Sequence, residues 1–205
     1  MIGVESCLHP RELVEVIDRV MPTETTYFVD IGAVTAWVIR HLRPRMPDCF
    51  FTDTVCGAMD YAVPAAIGGK LARPDTPVCA LVGDGGALMG SILELFSAVE
   101  HELAVLVVVF NDAGWGMVEH GVRRSPLRDA RRPSFHFRHR ADFALLARSL
   151  GARGVAVDRA DVLEVALREF LDTPVPTVLD VAIDRNAVPP IGGRTAHVNR
   201  HMSGD

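Results

Sequence analysis

Six consecutive apolar residues, Val105 to Phe110 in "VLVVVF", constrain the fold of this 205-residue chain more than any other feature. A run that does not alternate has no wet face, so it belongs to a strand covered on both sides, as in a parallel sheet flanked by helices. Upstream, "VCALV" (78–82) is a second such run, and it leads into "GDGG" (83–86). Asp-Gly after an apolar run is a hairpin signal, but a hairpin needs a strand on its far side. From Ala87 to Leu103 the apolar residues recur instead at Leu88, Ile92, Leu95, Phe96, Val99 and Leu103. That spacing marks one face of an α-helix. The segment therefore reads strand, glycine loop, helix, strand, a right-handed βαβ unit with parallel strands.

The same alternation runs through the rest of the chain. Helical patterns cover 10–20, 33–42, 58–73, 141–151 and 160–172; strand patterns cover 26–31, 49–52, 154–158 and 177–183. A polar, arginine-rich loop is expected over about 112–140. The expected class is α/β, a doubly wound, mostly parallel sheet with helices on both faces. Residues 1–185 are expected to form its one domain, and 186–205, with Pro189 and Pro190, an irregular tail. A hydrophobic content of 49% can build such a core, and a net charge of −5 argues against a dedicated nucleic-acid binder. No apolar run approaches the ~20 residues of a membrane helix. No basic leader with an apolar core opens the chain, and Cys7, Cys49, Cys56 and Cys79 show no CxxC spacing. Together these predict reduced thiols and a cytoplasmic location. Lys70 is the only lysine beside twenty arginines, which reads as coding bias.

Chemistry enters where the two apolar runs end. Parallel neighbours open their carboxyl ends on one edge of the sheet, where α/β proteins bind ligands. The first run ends at Asp84 and the second at Asn111 and Asp112 in "NDAGWG". Converging carboxylate and amide oxygens are hard ligands suited to Mg²⁺, which completes its shell with water or phosphate. Gly83, Gly85 and Gly86 let backbone N–H groups approach a phosphate, and the start of the following helix favours the same anion. The residues alone thus spell a Mg²⁺–diphosphate site. An Asx turn with a capping residue is the other reading of the same letters.

From Gly86 to Phe110, 25 residues separate "GDG" from "ND". This resembles the thiamine diphosphate signature, in which GDG is followed at a similar distance by asparagine. "GAMDYAVPAAIGGKLARPDTPV" (57–78) and "ELFSAVEHELAVLVVVFNDAGWGMV" (94–118) resemble the corresponding segments of acetolactate synthases and related 2-oxo acid decarboxylases. "DFALLARSLGARGVAV" and "VPTVLDVAIDRNAVPP" resemble that family's closing segments. The resemblance spans about residues 10 to 190 and implies the family's diphosphate-binding domain, with thiamine diphosphate and Mg²⁺ as cofactors. It implies Asp84 as first metal ligand, Asp112 or Asn111 as second, and the Gly114 carbonyl as third. Gly83, Gly85 and Gly86 fall where the family binds diphosphate, with Gly32 and Ala33 at another phosphate-facing loop. Gly57, beside Ala58, matches the residue whose carbonyl receives the cofactor's amino group. Met59 matches the apolar wedge beneath the cofactor, though it also reads as plain core. Trp115, Gly116 and Met117 continue the metal loop along the cofactor.

Departures from the family pattern are informative. Asp60 stands where glycine is usual, and Asp112 adds a charge where an amide is usual. Val118 occupies the place of the glutamate of simple pyruvate decarboxylases, and Glu119 on a helix points about 100° away. Met117–Val118 is the acetolactate synthase version, which favours carboligation over aldehyde release. The family also needs a second domain that grips the aminopyrimidine and supplies the activating glutamate, and no segment here resembles it. The expectation is a split enzyme: this chain with a separate aminopyrimidine-binding subunit, as an α₂β₂ assembly acting on a small 2-oxo acid, with no nucleic acid or membrane as partner. Alternatives are a simple decarboxylase subunit of the sulfopyruvate or phosphonopyruvate type, a non-catalytic cofactor-binding module, and a fragment of a longer enzyme. An apolar surface around Met59, Tyr61 and Trp115 is expected to meet the partner. The loop 123–140, with seven arginines, His136 and His139, reads as a solvated loop or as a basic lid.

Overall fold

The two unbroken apolar runs lie where their composition demands, at the centre of one sheet. The computed structural model describes residues 7–123 and 135–191. The chain enters through α1 (Pro10–Val20), β1 (Thr26–Val29), α2 (Ala33–His41), β2 (Phe50–Thr52) and α3 (Ala62–Ala72). It continues through β3 (Val78–Gly83), α4 (Asp84–Leu88), a 3-10 turn (Ser91–Glu94), α5 (Leu95–Glu100) and β4 (Val105–Asn111). Then follow α6 (Gly116–Arg123), α7 (Phe143–Ser149), β5 (Arg153–Val157), α8 (Ala160–Asp172) and β6 (Thr177–Ala182). The six strands stand in the order β2-β1-β3-β4-β6-β5, and every pairing is parallel.

Alternation along each strand splits the core in two. Leu81, Leu106, Val108 and Phe110 face α1, α2 and α8 through Leu13, Ile17, Val38, Leu163 and Phe170. Val78, Val82, Val105, Val107 and Val109 face α3, α5 and α7 through Val63, Leu95 and Phe143. Both faces of β3 and β4 are thus dry, which is why these strands carry no polar residue before their ends. Leu8 extends the edge by pairing in parallel with Ile183.

Three expectations about elements are corrected. The single helix over 87–103 does not form: Gly90, at φ 133, breaks it into α4, the 3-10 turn and α5. Its apolar residues consequently do not share a face; Ile92 and Leu95 are buried, while Leu88 is 49% and Phe96 52% exposed. The helix expected from residue 58 starts at Ala62, since Asp60 adopts φ 73, outside helical space. The loop expected over 112–140 contains α6, and residues 124–134 of it lie outside the described residues. Of the tail, the described part to Ile191 contains neither helix nor strand.

Candidate functional site

Strands β3 and β4 end side by side, with Gly83 in register with Phe110. The glycine loop expected at 83–86 is instead the first turn of α4, so Asp84 is a helical residue directly after the strand. With five residues, α4 contributes little of the helix dipole expected to favour an anion. Asp84 is 2% exposed. Its Oδ1 accepts the Gly85 N–H at 2.9 Å and its Oδ2 the Gly114 N–H at 3.0 Å.

The two candidates at the end of β4 part company. Asn111 continues the alternation of Val105, Val107 and Val109 and so faces α7. There its Nδ2 donates to Asp180 Oδ1 at 2.8 Å and to the Ala141 carbonyl at 2.9 Å, while its Oδ1 accepts the Ala113 N–H at 3.3 Å. The amide is fully used in holding a buried carboxylate, so the structure does not bring Asn111 to Asp84. Asp112 comes to Asp84 instead. The chain then turns through Ala113 at φ 55, which returns Gly114 to Asp84. Asp112 is 8% exposed, and its buried Oδ1 has no hydrogen-bond partner among the described residues.

Burial first, and then the charge of Asp112, push Asp84 up to about 8, against the N–H groups of Gly114 and Gly85. Burial raises Asp112 too, while the bond with Asp84 and the charges of Arg185 and Arg140 pull the other way. Two buried carboxylates in contact favour one shared proton, or a cation between them, over two bare charges. No trio of His, Cys, Asp or Glu side chains among the described residues is placed to hold a metal. The pair of carboxylates suits a hard cation that keeps water or phosphate in its shell.

The pair opens onto a cavity of about 450 Å³, within the size range of small-molecule sites. Every cofactor residue inferred from sequence lines it except Ala58, and so do Asp84, Asp112 and Gly114. Ala58 is turned to solvent, its N–H tied to Asp53 at 3.1 Å. The glycines are glycine for different reasons. A Cβ on Gly83 would meet nothing within 4 Å, so backbone there lies open to the cavity. A Cβ on Gly85 would lie 2.7 Å from the Trp115 ring, and one on Gly86 would collide with Asp30. Gly116 is pressed in the same way against Asp112 Oδ2. Open space at Gly83, together with an Asp112 oxygen without a partner among the described residues, leaves room for a diphosphate and a ligand atom for its cation.

Several residues that shape the site were not inferred from sequence. Asp30, 1% exposed, accepts N–H groups of Tyr61 at 2.8 Å, Asp60 at 3.1 Å and Ala62 at 3.3 Å, and so caps α3 from across the sheet edge. Burial raises its pKa, opposed by those same three N–H groups. Its signal was available, since Asp30 ends an apolar run just before Gly32, as Asp84 ends another before Gly85. Asp53 organises the loop carrying Gly57 by accepting N–H groups of Val55, Cys56 and Ala58. Phe135 and Phe137 strap the turn after β4, taking the Trp115 N–H and donating to the Ala113 carbonyl. Arg140 donates to the Asn111 carbonyl and Arg123 to Glu119 Oε1 at 2.6 Å, so these two arginines of the basic loop are engaged within the protein. Met59, Tyr61 and Trp115 are half-buried; among the described residues, the exposed apolar side chains of Ile39 and Val118 line the same cavity, and Leu88, Met89, Leu93 and Phe96 are exposed along α4 to α5.

Residues 30–181 match the family model described as "Thiamine pyrophosphate enzyme, C-terminal TPP binding domain". The chain is 33% identical over 172 residues to a sulfoacetaldehyde acetyltransferase of Alcaligenes xylosoxydans xylosoxydans, covering 82% of this chain and 27% of that protein. It is 31% identical over 181 residues to an acetolactate synthase large subunit of Parasynechococcus marenigrum (strain WH8102), covering 88% of this chain and 29% of that protein. Thus the chain spans less than a third of the length of these curated relatives. In fold it matches the thiamine diphosphate-dependent 4-hydroxybenzoylformate decarboxylase of Rhodococcus jostii RHA1, with a TM-score of 0.80 at 24% identity, over 91% of this chain and 34% of that one. The family match takes in both strand ends and the turn between Asp112 and Gly114, so the chain belongs to the thiamine pyrophosphate enzymes, as their C-terminal cofactor-binding domain.

Proposed function

We propose that this chain is the diphosphate- and Mg²⁺-holding part of an enzyme that decarboxylates a small 2-oxo acid and transfers the resulting acyl group to an acceptor, in the manner of an acetolactate synthase. The carrying observation is the Asp84–Asp112 pair, buried, facing the cavity, and with no partner at Asp112 Oδ1 among the described residues. Thiamine diphosphate, when bound, supplies the carbanion chemistry that releases CO₂. Asp84, Asp112 and the Gly114 carbonyl hold Mg²⁺. Backbone at Gly83 and the first turn of α4 approach the diphosphate, while Gly57 offers its carbonyl to the aminopyrimidine. Met59 and Trp115 flank the cofactor and exclude water from it.

The choice of acyl transfer over simple aldehyde release rests on α6. Val118 lines the cavity where a proton-donating acid would have to stand. Burial would raise the neighbouring Glu119, but its hydrogen bond with Arg123 holds it below the usual range, ionised and engaged. The relatives named as an acetyltransferase and an acetolactate synthase lean the same way. In this reading residues 1–185 form the binding domain with 186–205 as its tail, and the setting is the cytoplasm. The activating glutamate comes from a separate aminopyrimidine-binding subunit, with two active sites at the interfaces of an α₂β₂ assembly.

The test is CO₂ release from pyruvate and other 2-oxo acids by the purified chain with Mg²⁺ and thiamine diphosphate, with and without a co-expressed aminopyrimidine-binding partner. Turnover is expected only with the partner; turnover by the chain alone overturns the split arrangement. In the complex, Asp84→Ala is expected to abolish Mg²⁺-dependent cofactor binding by calorimetry. Unchanged cofactor affinity in that variant sinks the site assignment.

A further inference from the structure

The site holds one more carboxylate than a cofactor-completed cation site requires. Asp84 and Asp112 are both more than nine-tenths buried, and the Asp84 oxygens already accept N–H groups from Gly85 and Gly114. Asp112 differs, because its Oδ1 is buried and accepts nothing among the described residues. Its other oxygen is walled by Gly116, where even a methyl group would collide with it. Nearby Arg140 donates to the Asn111 carbonyl, and the charges of Arg185 and Arg140 reach Asp112, yet its Oδ1 receives no hydrogen bond among the described residues. A buried carboxylate oxygen left without a hydrogen-bond partner is unfavourable. An anionic diphosphate brought to such a pair would meet like charge.

A divalent cation reverses both problems. Two carboxylates balance its charge without help, and the Asp112 Oδ1 gives it a ligand that no group among the described residues contests. Carboxylate count is a main determinant of how tightly oxygen sites hold such cations. If the residue at 112 were an amide, the site would carry one charge and would depend on diphosphate oxygens for the rest. Resting on the reading above, we propose that Asp112 makes the cation site self-sufficient: the chain loads a divalent cation on Asp84, Asp112 and the Gly114 backbone before the diphosphate arrives, and that loading prepares the site for the anion.

The experiment uses the full chain without thiamine diphosphate and Mn²⁺ as probe, with free Mn²⁺ followed by its electron paramagnetic resonance signal. The wild-type chain is expected to bind one Mn²⁺, and Asp84→Asn to lose it. Asp112→Asn is expected to bind at least about tenfold more weakly without the cofactor, and to recover most of that loss when thiamine diphosphate is added. Wild-type chain that takes Mn²⁺ only together with thiamine diphosphate overturns the proposal, as does Asp112→Asn binding Mn²⁺ equally well without it. Circular dichroism establishes that the variants fold; should Asp112→Asn not fold, the wild-type titrations with and without cofactor still decide. Mn²⁺ loading by the chain with no thiamine diphosphate binding even beside the co-expressed partner would leave the cation-loading inference standing and remove the functional reading. Joint binding without prior loading would do the reverse.

Discussion

Gly86 is glycine because of Asp30, and a double-mutant cycle exposes the dependence. Built on Gly86, a Cβ would collide with Asp30 Oδ2 and stand 3.3 Å from Val82 Cγ2. Asp30 cannot step aside without giving up the N–H groups of Tyr61, Asp60 and Ala62. Gly86→Ala alone should therefore destabilise by about 1–3 kcal/mol through overpacking. Gly86 lies inside α4 with ordinary helical backbone, so an alanine there also gains about 1 kcal/mol of helix propensity. Asp30→Ala alone should cost about 2–4 kcal/mol, because it removes the cap of α3 and leaves partly buried donors unmet. In the Asp30→Ala background the collision is gone and only the Val82 contact opposes the propensity gain. Gly86→Ala is then expected to be neutral or stabilising, a coupling of about 1–3 kcal/mol between the sites. Urea unfolding of the four chains with a shared m-value measures it. A cost for Gly86→Ala that is the same within about 0.5 kcal/mol in both backgrounds would falsify the claim that the carboxylate excludes the side chain.

Two further outcomes follow from the same carboxylates. Burial raises Asp30 above its unfolded value near 3.9, so between that pH and its folded value the native chain holds a proton that the unfolded chain has lost. Asp30 thus makes stability fall as pH rises out of the ordinary carboxylate range; Asp30→Asn should remove this slope from urea midpoints, and an unchanged slope would contradict the assignment. At the end of β4 the two adjacent residues should respond in opposite ways. Asn111→Asp sets a second carboxylate against buried Asp180 and should cost about 3 kcal/mol or more, whereas Asp112→Asn relieves the Asp84 pair and should leave stability unchanged or higher without metal. Equal costs by urea unfolding would refute the division of roles.

Much of this protein is legible in its letters. The unbroken runs 78–82 and 105–110 demand strands covered on both faces, and the alternation of strands and helices then leads to a parallel sheet with its site at the carboxyl edge. Residue type is enough there, because hydrophobic periodicity is a local property. Legible too are Asp84, the Asn111–Asp112 pair and the glycines, since their spacing places them at neighbouring strand ends. What sequence left open is which partner each of them meets. Gly90, at φ 133, halts the expected helix in a conformation that hydrophobic spacing does not encode. Asn111 and Asp112 are adjacent letters of similar shape, and only the strand register sends one to Asp180 and the other to Asp84. Gly85 and Gly86 read as phosphate-facing glycines, yet Trp115 and Asp30, thirty and fifty-six residues away, are what forbid a side chain at those positions. Asp30 caps a helix that begins at Ala62. Such contacts join residues far apart in the chain, and their identity depends on how the layers close around the sheet edge. Periodicity carries no record of that closure.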